Sequence, residues 1–133
     1  MEMKTKEIRK VLSFAEITVR IERIGEDYLI TVSGGKAHIG SCVLAVPRPS
    51  LADPEEPGCT SSILNVTGHK DELICRKLAE SICLRTRRTA VCTGGFHMDN
   101  LDEKGIREVL DAIDEIMNSG FDEFLYFGKH DQY

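Results

Sequence analysis

The chain has 133 residues and a mass of 14.9 kDa, the length of a single domain. Its 17 Lys and Arg against 22 Asp and Glu give a net charge of −5, with 41% hydrophobic and 29% charged residues. That composition excludes a disordered chain and argues against a general nucleic-acid binder, whose affinity rests on basic side chains meeting phosphates; no apolar run approaches the roughly 20 residues that cross a bilayer.

The charge is unevenly spread. Residues 1–98 carry 14 basic and 12 acidic side chains, net +2, while residues 99–133 carry 3 and 10, net −7. The opening MEMKTKEIRK is basic but is not followed by an apolar signal core, so the expectation is a cytoplasmic protein without a secretory signal. Cys42, Cys59, Cys75, Cys83 and Cys92 are odd in number and lack CxxC spacing. Buried free thiols are expected.

Residues 14–23 alternate Phe14, Ile17, Val19 and Ile21 with Glu16, Thr18, Arg20 and Glu22, the pattern of a half-buried strand. A turn around Gly25 and the run DYLITVSG make the second arm of a hairpin. Gly34-Gly35-Lys36 turns the chain into a third strand over 37–46, with Gly40 inside it. Residues 47–58 hold all four prolines and read as a long surface loop, after which 59–68 resume extended structure.

The first helix starts near His69, with Leu73, Ile74, Leu78, Ala79, Ile82 and Cys83 on one face. A strand follows over 86–95. The second helix opens at Asn100 with capping-box spacing to Glu103 and carries the stripe Ile106, Val109, Leu110, Ile113, Ile116 and Met117 to a stop at Gly120. The aromatic tail 119–133 is a short strand, a docking segment or a partner-binding tail. The expected order is β-β-β-β-α-β-α: one α+β domain, a mostly antiparallel sheet with two helices packed on it.

His38, His69 and His97 each lie within three residues of a glycine, at strand ends or a strand-to-helix junction. If they converge, they make a metal site for zinc or a similar ion, with Asp71 or Asp99 as oxygen donors. The alternative is that each bonds its own turn, with His69 as an N-cap. Gly34-Gly35-Lys36 and Gly68-His69-Lys70 also offer main-chain N–H groups beside a cation, suited to an anion, with Arg48, Arg85, Arg87 and Arg88 as further charge. No dinucleotide or nucleotide-triphosphate fingerprint is present. Cys42 shares strand parity with His38, but neither it, Cys92 nor Ser33 stands in a nucleophile signature. Asp99 could serve His97 as an acid–base partner, or with Asn100 cap the second helix.

The phrases SGGKAHIG (33–40), VPRPSL (46–51), GHKDEL (68–73) and GGFHMDN (94–100) together resemble the LpdD-like prenylated-flavin chaperone family, small accessory proteins of UbiD-type decarboxylases. The resemblance implies an α+β fold similar to proteasome-assembling chaperones, a homodimer, and maturation or delivery of prenylated FMN rather than decarboxylation. It carries over to Gly34, Gly35, Lys36, His38, Gly40, Arg48, Gly68, His69, Lys70, Asp71, His97, Asp99 and Asn100. Of these, all but Asp71 are expected to meet the cofactor, prenylated FMN or FMN bound transiently. Two other functions remain open: a small metal-dependent enzyme using the same histidines, and a purely structural dimeric assembly factor.

Overall fold

The computed structural model describes residues 4–66 and 70–125. Its elements follow in the order β1 (Thr5–Val11), β2 (Glu16–Ile24), β3 (Asp27–Gly35), β4 (Ser41–Pro49), β5 (Pro57–Asn65), α1 (Lys70–Thr86), β6 (Ala90–His97) and α2 (Glu103–Ser119). The strands form one sheet ordered β1-β2-β3-β6-β4-β5. Every pairing is antiparallel except that of β3 with β6, which is parallel. The α+β class and the mostly antiparallel sheet agree with the sequence, with one strand more than expected.

One face of the sheet makes the core. Ile17, Val19 and Ile21 of β2, Ile30 and Val32 of β3, Val43 and Ala45 of β4, and Cys92 and Phe96 of β6 are buried on it. The helix α1 lies against β4, β6 and β5, with α2 beside it towards β1. From α1 come Ile74, Cys75, Leu78, Ala79, Ile82 and Cys83, and from α2 Val109, Ala112, Ile113, Ile116 and Met117. Burying one such aliphatic side chain contributes about 1.5–3 kcal/mol. Leu73, expected on this face, is turned outward, and Cys75 takes the inward position. Among the described residues no helix is long and apolar enough to cross a membrane.

One strand is unexpected, and three local expectations need correction. The segment Thr5–Val11 pairs with β2 as an edge strand, although its only large inward apolar side chain is Ile8. The proline-rich stretch is a hairpin, because β4 and β5 stay paired out to Pro49↔Pro57 and leave only 50–56 as loop. Beyond Ala45, β4 has no β6 neighbour, so Pro47 and Pro49 lack an N–H only where there is no ladder to serve. The third strand begins at Ser41, so Gly40 and His38 precede it and the parity argument linking His38 to Cys42 fails. Finally, α2 is capped by Asp102, whose carboxylate accepts from the Gly105 N–H at 2.8 Å, while Asn100 takes a left-handed turn conformation, φ 62°.

The tail expectation resolves in part. Phe121, Phe124 and Leu125 are buried in the domain, and the Phe124 ring stands edge-on to Tyr28. Residues 126–133 lie outside the described residues.

The β1–β2 corner is fastened to α2 by one carboxylate. Glu108 accepts the Ser13 backbone N–H at 2.9 Å and its hydroxyl at 2.8 Å. These bonds, the backbone one foremost, hold the Glu108 carboxyl below its ordinary value of 4.5. A depressed carboxyl contributes stability that is present above its unfolded pKa and lost as pH falls through the folded one. The Glu108→Gln variant should therefore melt a few degrees below wild type at neutral pH, with the gap closing under acid. Melting curves across the acid range check this; a gap that persists at the acid end would contradict it.

Candidate functional site

Because β3 and β6 run parallel, their C-terminal ends finish side by side, at the edge where β4 and α1 begin. That edge gathers Gly34, Gly35, Lys36, His38, Gly40, Asp71 and His97. Gly35 turns the chain with φ 58°, and the Lys36 N–H then donates to the His97 carbonyl at 2.9 Å. The Gly40 N–H donates to the Gly94 carbonyl at 2.9 Å as the chain enters β4.

At the centre is Asp71, in the first turn of α1 and only 5% exposed. Its Oδ1 accepts the Phe96 backbone N–H at 3.0 Å, and its Oδ2 lies 2.9 Å from His38 Nε2. The carboxylate fits only because Gly40 and Gly95 have no side chains. A Cβ at Gly40 would overlap Asp71 Oδ2, and one at Gly95 would come within 3.0 Å of the Asp71 carboxyl and 2.9 Å of His38 Cε1.

His38 Nδ1 lies 3.3 Å from the Lys36 carbonyl oxygen. Both neighbours of the ring only accept, so an imidazolium donates on both sides and a neutral ring on one. The His97 ring stands edge-on to it, centroids 5.8 Å apart, with Nε2 3.1 Å from Asp99 Oδ1. The imidazole side chains are 36% exposed at His38 and 45% at His97, so both rings open to solvent beside a buried negative charge. Two exposed apolar residues belong to the same end of the sheet: Ile39, between His38 and Gly40, is 65% exposed, and Val66, whose N–H donates to the Gly40 carbonyl, is 67% exposed.

The structure thus brings together His38, His97, Asp71, Asp99, Gly34, Gly35, Lys36 and Gly40. Asn100 stands in the turn that follows Asp99. Gly68 and His69 lie outside the described residues, as does the side chain of Lys70. Among the described residues no group of three or more His, Cys, Asp or Glu is arranged to hold a metal ion. Asp71 and Asp99 instead bond one imidazole each.

The arginines do not join this site. Arg48 sits seven residues along β4 from Ser41, at the far end of the sheet, with Nε on Thr60 Oγ1 at 2.9 Å and a second guanidinium nitrogen on the Pro49 carbonyl at 3.0 Å. Arg85 binds the C-terminal end of α2 through Asn118 at 2.9 Å and the Met117 carbonyl. Arg87 meets the Glu55 carbonyl at 3.5 Å, and Arg88 pairs with Glu26 at 3.3 Å. Cys92 is buried, and burial pushes its thiol up, which suits a core residue and not a nucleophile.

Gly95 is the site residue that sequence reasoning missed. The Gly94-Gly95 pair ahead of His97 was the available signal, but nothing local says that a carboxylate 24 residues upstream needs the space.

Residues 13–124 match the prenylated flavin chaperone LpdD-like domain. The chain belongs to this family, and its role is that of a chaperone for prenylated flavin. Eleven solved chains also match. One is a component of a chaperone complex for yeast 20S proteasome assembly, 15% identical, covering 86% of this chain and 99% of its own length with a TM-score of 0.49. No curated protein matches.

Two substitutions separate the roles of Asp71. Asp71→Ala strands the buried Phe96 N–H and should cost about 1–3 kcal/mol in urea denaturation, with loss of amide-exchange protection at Phe96. Asp71→Asn keeps an acceptor for that N–H, so protection should survive while the His38 ring resonances move. Equal loss of protection in both variants would mean that Asp71 acts through its charge alone.

Proposed function

We propose that this edge of the sheet receives prenylated FMN transiently and passes it to a UbiD-type decarboxylase. The observation that carries the proposal is the pair of half-exposed imidazoles, one fixed by a buried carboxylate, at the end of the molecule that holds Gly34–Gly40, Asp71 and Gly94–His97.

The residues fit the cofactor's chemistry. The Lys36 ammonium suits a phosphate, the imidazole rings suit a flavin ring, and the exposed Ile39 and Val66 suit its hydrocarbon parts. When bound, prenylated FMN supplies electron-accepting chemistry to the decarboxylase it serves; this chain's residues would bind and orient it. Asp71 holds His38 in one orientation, and Gly40 and Gly95 leave room for that arrangement. A site open to solvent favours transfer over retention, because a ligand held on an open edge stays accessible to a second protein.

Calorimetric titration with FMN and with prenylated FMN tests the reading. His38→Ala, His97→Ala and Lys36→Ala should each weaken binding about tenfold or more, roughly 1.4 kcal/mol or above, without a matching loss of folding stability. A purified UbiD-type decarboxylase should gain activity faster from the loaded chaperone than from free cofactor. Unchanged affinity in all three variants would sink the site. Unchanged activation kinetics would sink the transfer.

The face of the sheet opposite the helices supports a homodimer. Leu44, Val46 and Leu64 project from it with 39%, 43% and 76% exposure, next to half-buried Leu29, Cys42 and Val91. Leu64 faces Cys42 across β4 and β5, and Leu44 faces Val91, so the apolar patch is continuous over four strands. Two copies can cover it reciprocally. Sedimentation at micromolar concentrations should show a dimer that Leu64→Asp reduces to folded monomers; a wild-type monomer would refute it.

A further inference from the structure

The strand β5 is an edge strand held on one side by β4 and from above by α1, and its helix-facing side carries Cys59, Ser61, Ile63 and Asn65. Two polar contacts fix how β5 and α1 align. Asn65 Nδ2 donates to Glu72 Oε1 at 2.7 Å, and the Ser61 hydroxyl donates to Glu80 Oε2 at 2.6 Å. The two elements run in opposite directions, so a step of two residues back along the strand, about 7 Å, matches about four residues on along the helix. Continuing that ladder from Ser61 and Glu80 brings Cys59 over Cys83, a neighbour whose charge also acts on the Cys83 thiol. Cys59 is half-buried and Cys83 buried.

We propose that Cys59 and Cys83 form a reversible disulfide that staples the edge strand to α1, made by exchange with a low-molecular-weight disulfide.

The Cys59 thiolate attacks one sulfur of the small disulfide. That S–S bond breaks, its electron pair leaves with the departing thiol, and the latter takes up a proton. Cys83 then releases its proton to solvent and attacks Cys59 Sγ, expelling the second small thiol. In sum, two protein thiols are oxidised to one disulfide and one small disulfide is reduced to two thiols.

The other cysteines are not equivalent. Cys75 and Cys92 are both fully buried in the core and closed to an oxidant. Cys42 is half-buried on the opposite face of the sheet. Burial pushes the Cys83 thiol up to about 11, with Cys59 and Glu80 as negative neighbours adding to it. Burial and Glu80 also raise Cys59. Both steps therefore accelerate with pH, approaching tenfold per unit below the pKa of the attacking thiol. Cys59 pairs with Pro47 and Cys83 lies near the C-terminal end of α1, so the staple would fix α1 against β5 at the Arg48 end of the sheet, away from the site.

The test is incubation of the full chain with glutathione disulfide at about pH 8.5, acid quenching and peptide mass mapping. The expected product joins the peptides of Cys59 and Cys83, lighter by two hydrogens, and melts about 10 °C higher than the reduced protein. In Cys83→Ser, glutathione should remain on Cys59; in Cys59→Ser, Cys83 should stay unmodified. Three results would each overturn the proposal: glutathione persisting on Cys59 in the wild type beside an intact Cys83 thiol, a bond from Cys59 to Cys42, or an unreacted Cys59 under conditions that fully modify the unfolded chain.

Discussion

The candidate site depends on one buried carboxylate. β6 runs on past Gly94, where β4 begins, and so leaves the Phe96 N–H without a strand on that side. Asp71 takes the place of the missing strand. Its second oxygen reaches His38, and the two bonds tie three separate parts of the chain together: α1, β6 and the segment leading into β4. An unpaired buried N–H or an unpaired buried carboxylate would each be costly, so the two satisfy one another and the imidazole takes what remains. The glycines at 40 and 95 are a steric consequence of that arrangement.

The parallel pairing of β3 with β6 is what puts the Gly34–Gly35 and Gly94–His97 phrases in one place. An antiparallel partner for β3 would have carried Gly94–His97 to the opposite end of the sheet, beside Tyr28. Parallel strands need a long crossover, and here it contains β4, β5 and α1. The crossover brings the start of α1 back to the same edge, so Asp71 arrives where His38 and His97 already stand. Clustering of phrases 60 residues apart in sequence thus follows from topology, with no local chelating pattern required.

What could be read in the sequence divides along physical lines. The strict alternation from Ile17 to Ile21 and the stripe from Val109 to Met117 marked β2 and α2, because burying one face leaves a period in the sequence. β1 left almost none, since Ile8 is its single large inward apolar residue among lysines, arginine and glutamate. The prolines at 47 and 49 concealed the far half of β4, because a missing N–H forbids a strand only where a neighbour needs it. His38, Lys36 and His97 could be singled out by their glycine-bearing turns. The bond from Asp71 to Phe96 spans 25 residues and leaves no spacing rule, so its carboxylate could be suspected of metal binding but not assigned to a backbone amide. Arg48 belonged to a matching phrase, yet seven residues of extended strand carry it away from the site.

Charge is the property whose meaning changes most in three dimensions. The acidic excess of the C-terminal segment is not a free field around the molecule. Glu115 pairs with Lys10, Asp114 with Lys77 at 3.0 Å, and Asp122 with Arg85 at 3.3 Å, while Glu108 receives both donors of Ser13. These contacts fasten α2 to β1, α1 and the β1–β2 corner, so basic residues of the first part of the chain are used up in holding the last part. The site edge is separate from this network, and its one buried charge already faces an amide and an imidazole. Exposed charges far from a site are screened within about 8–10 Å at physiological salt. An anionic ligand approaching Lys36 and the two histidines would therefore respond to that edge and not to the −5 of the whole chain.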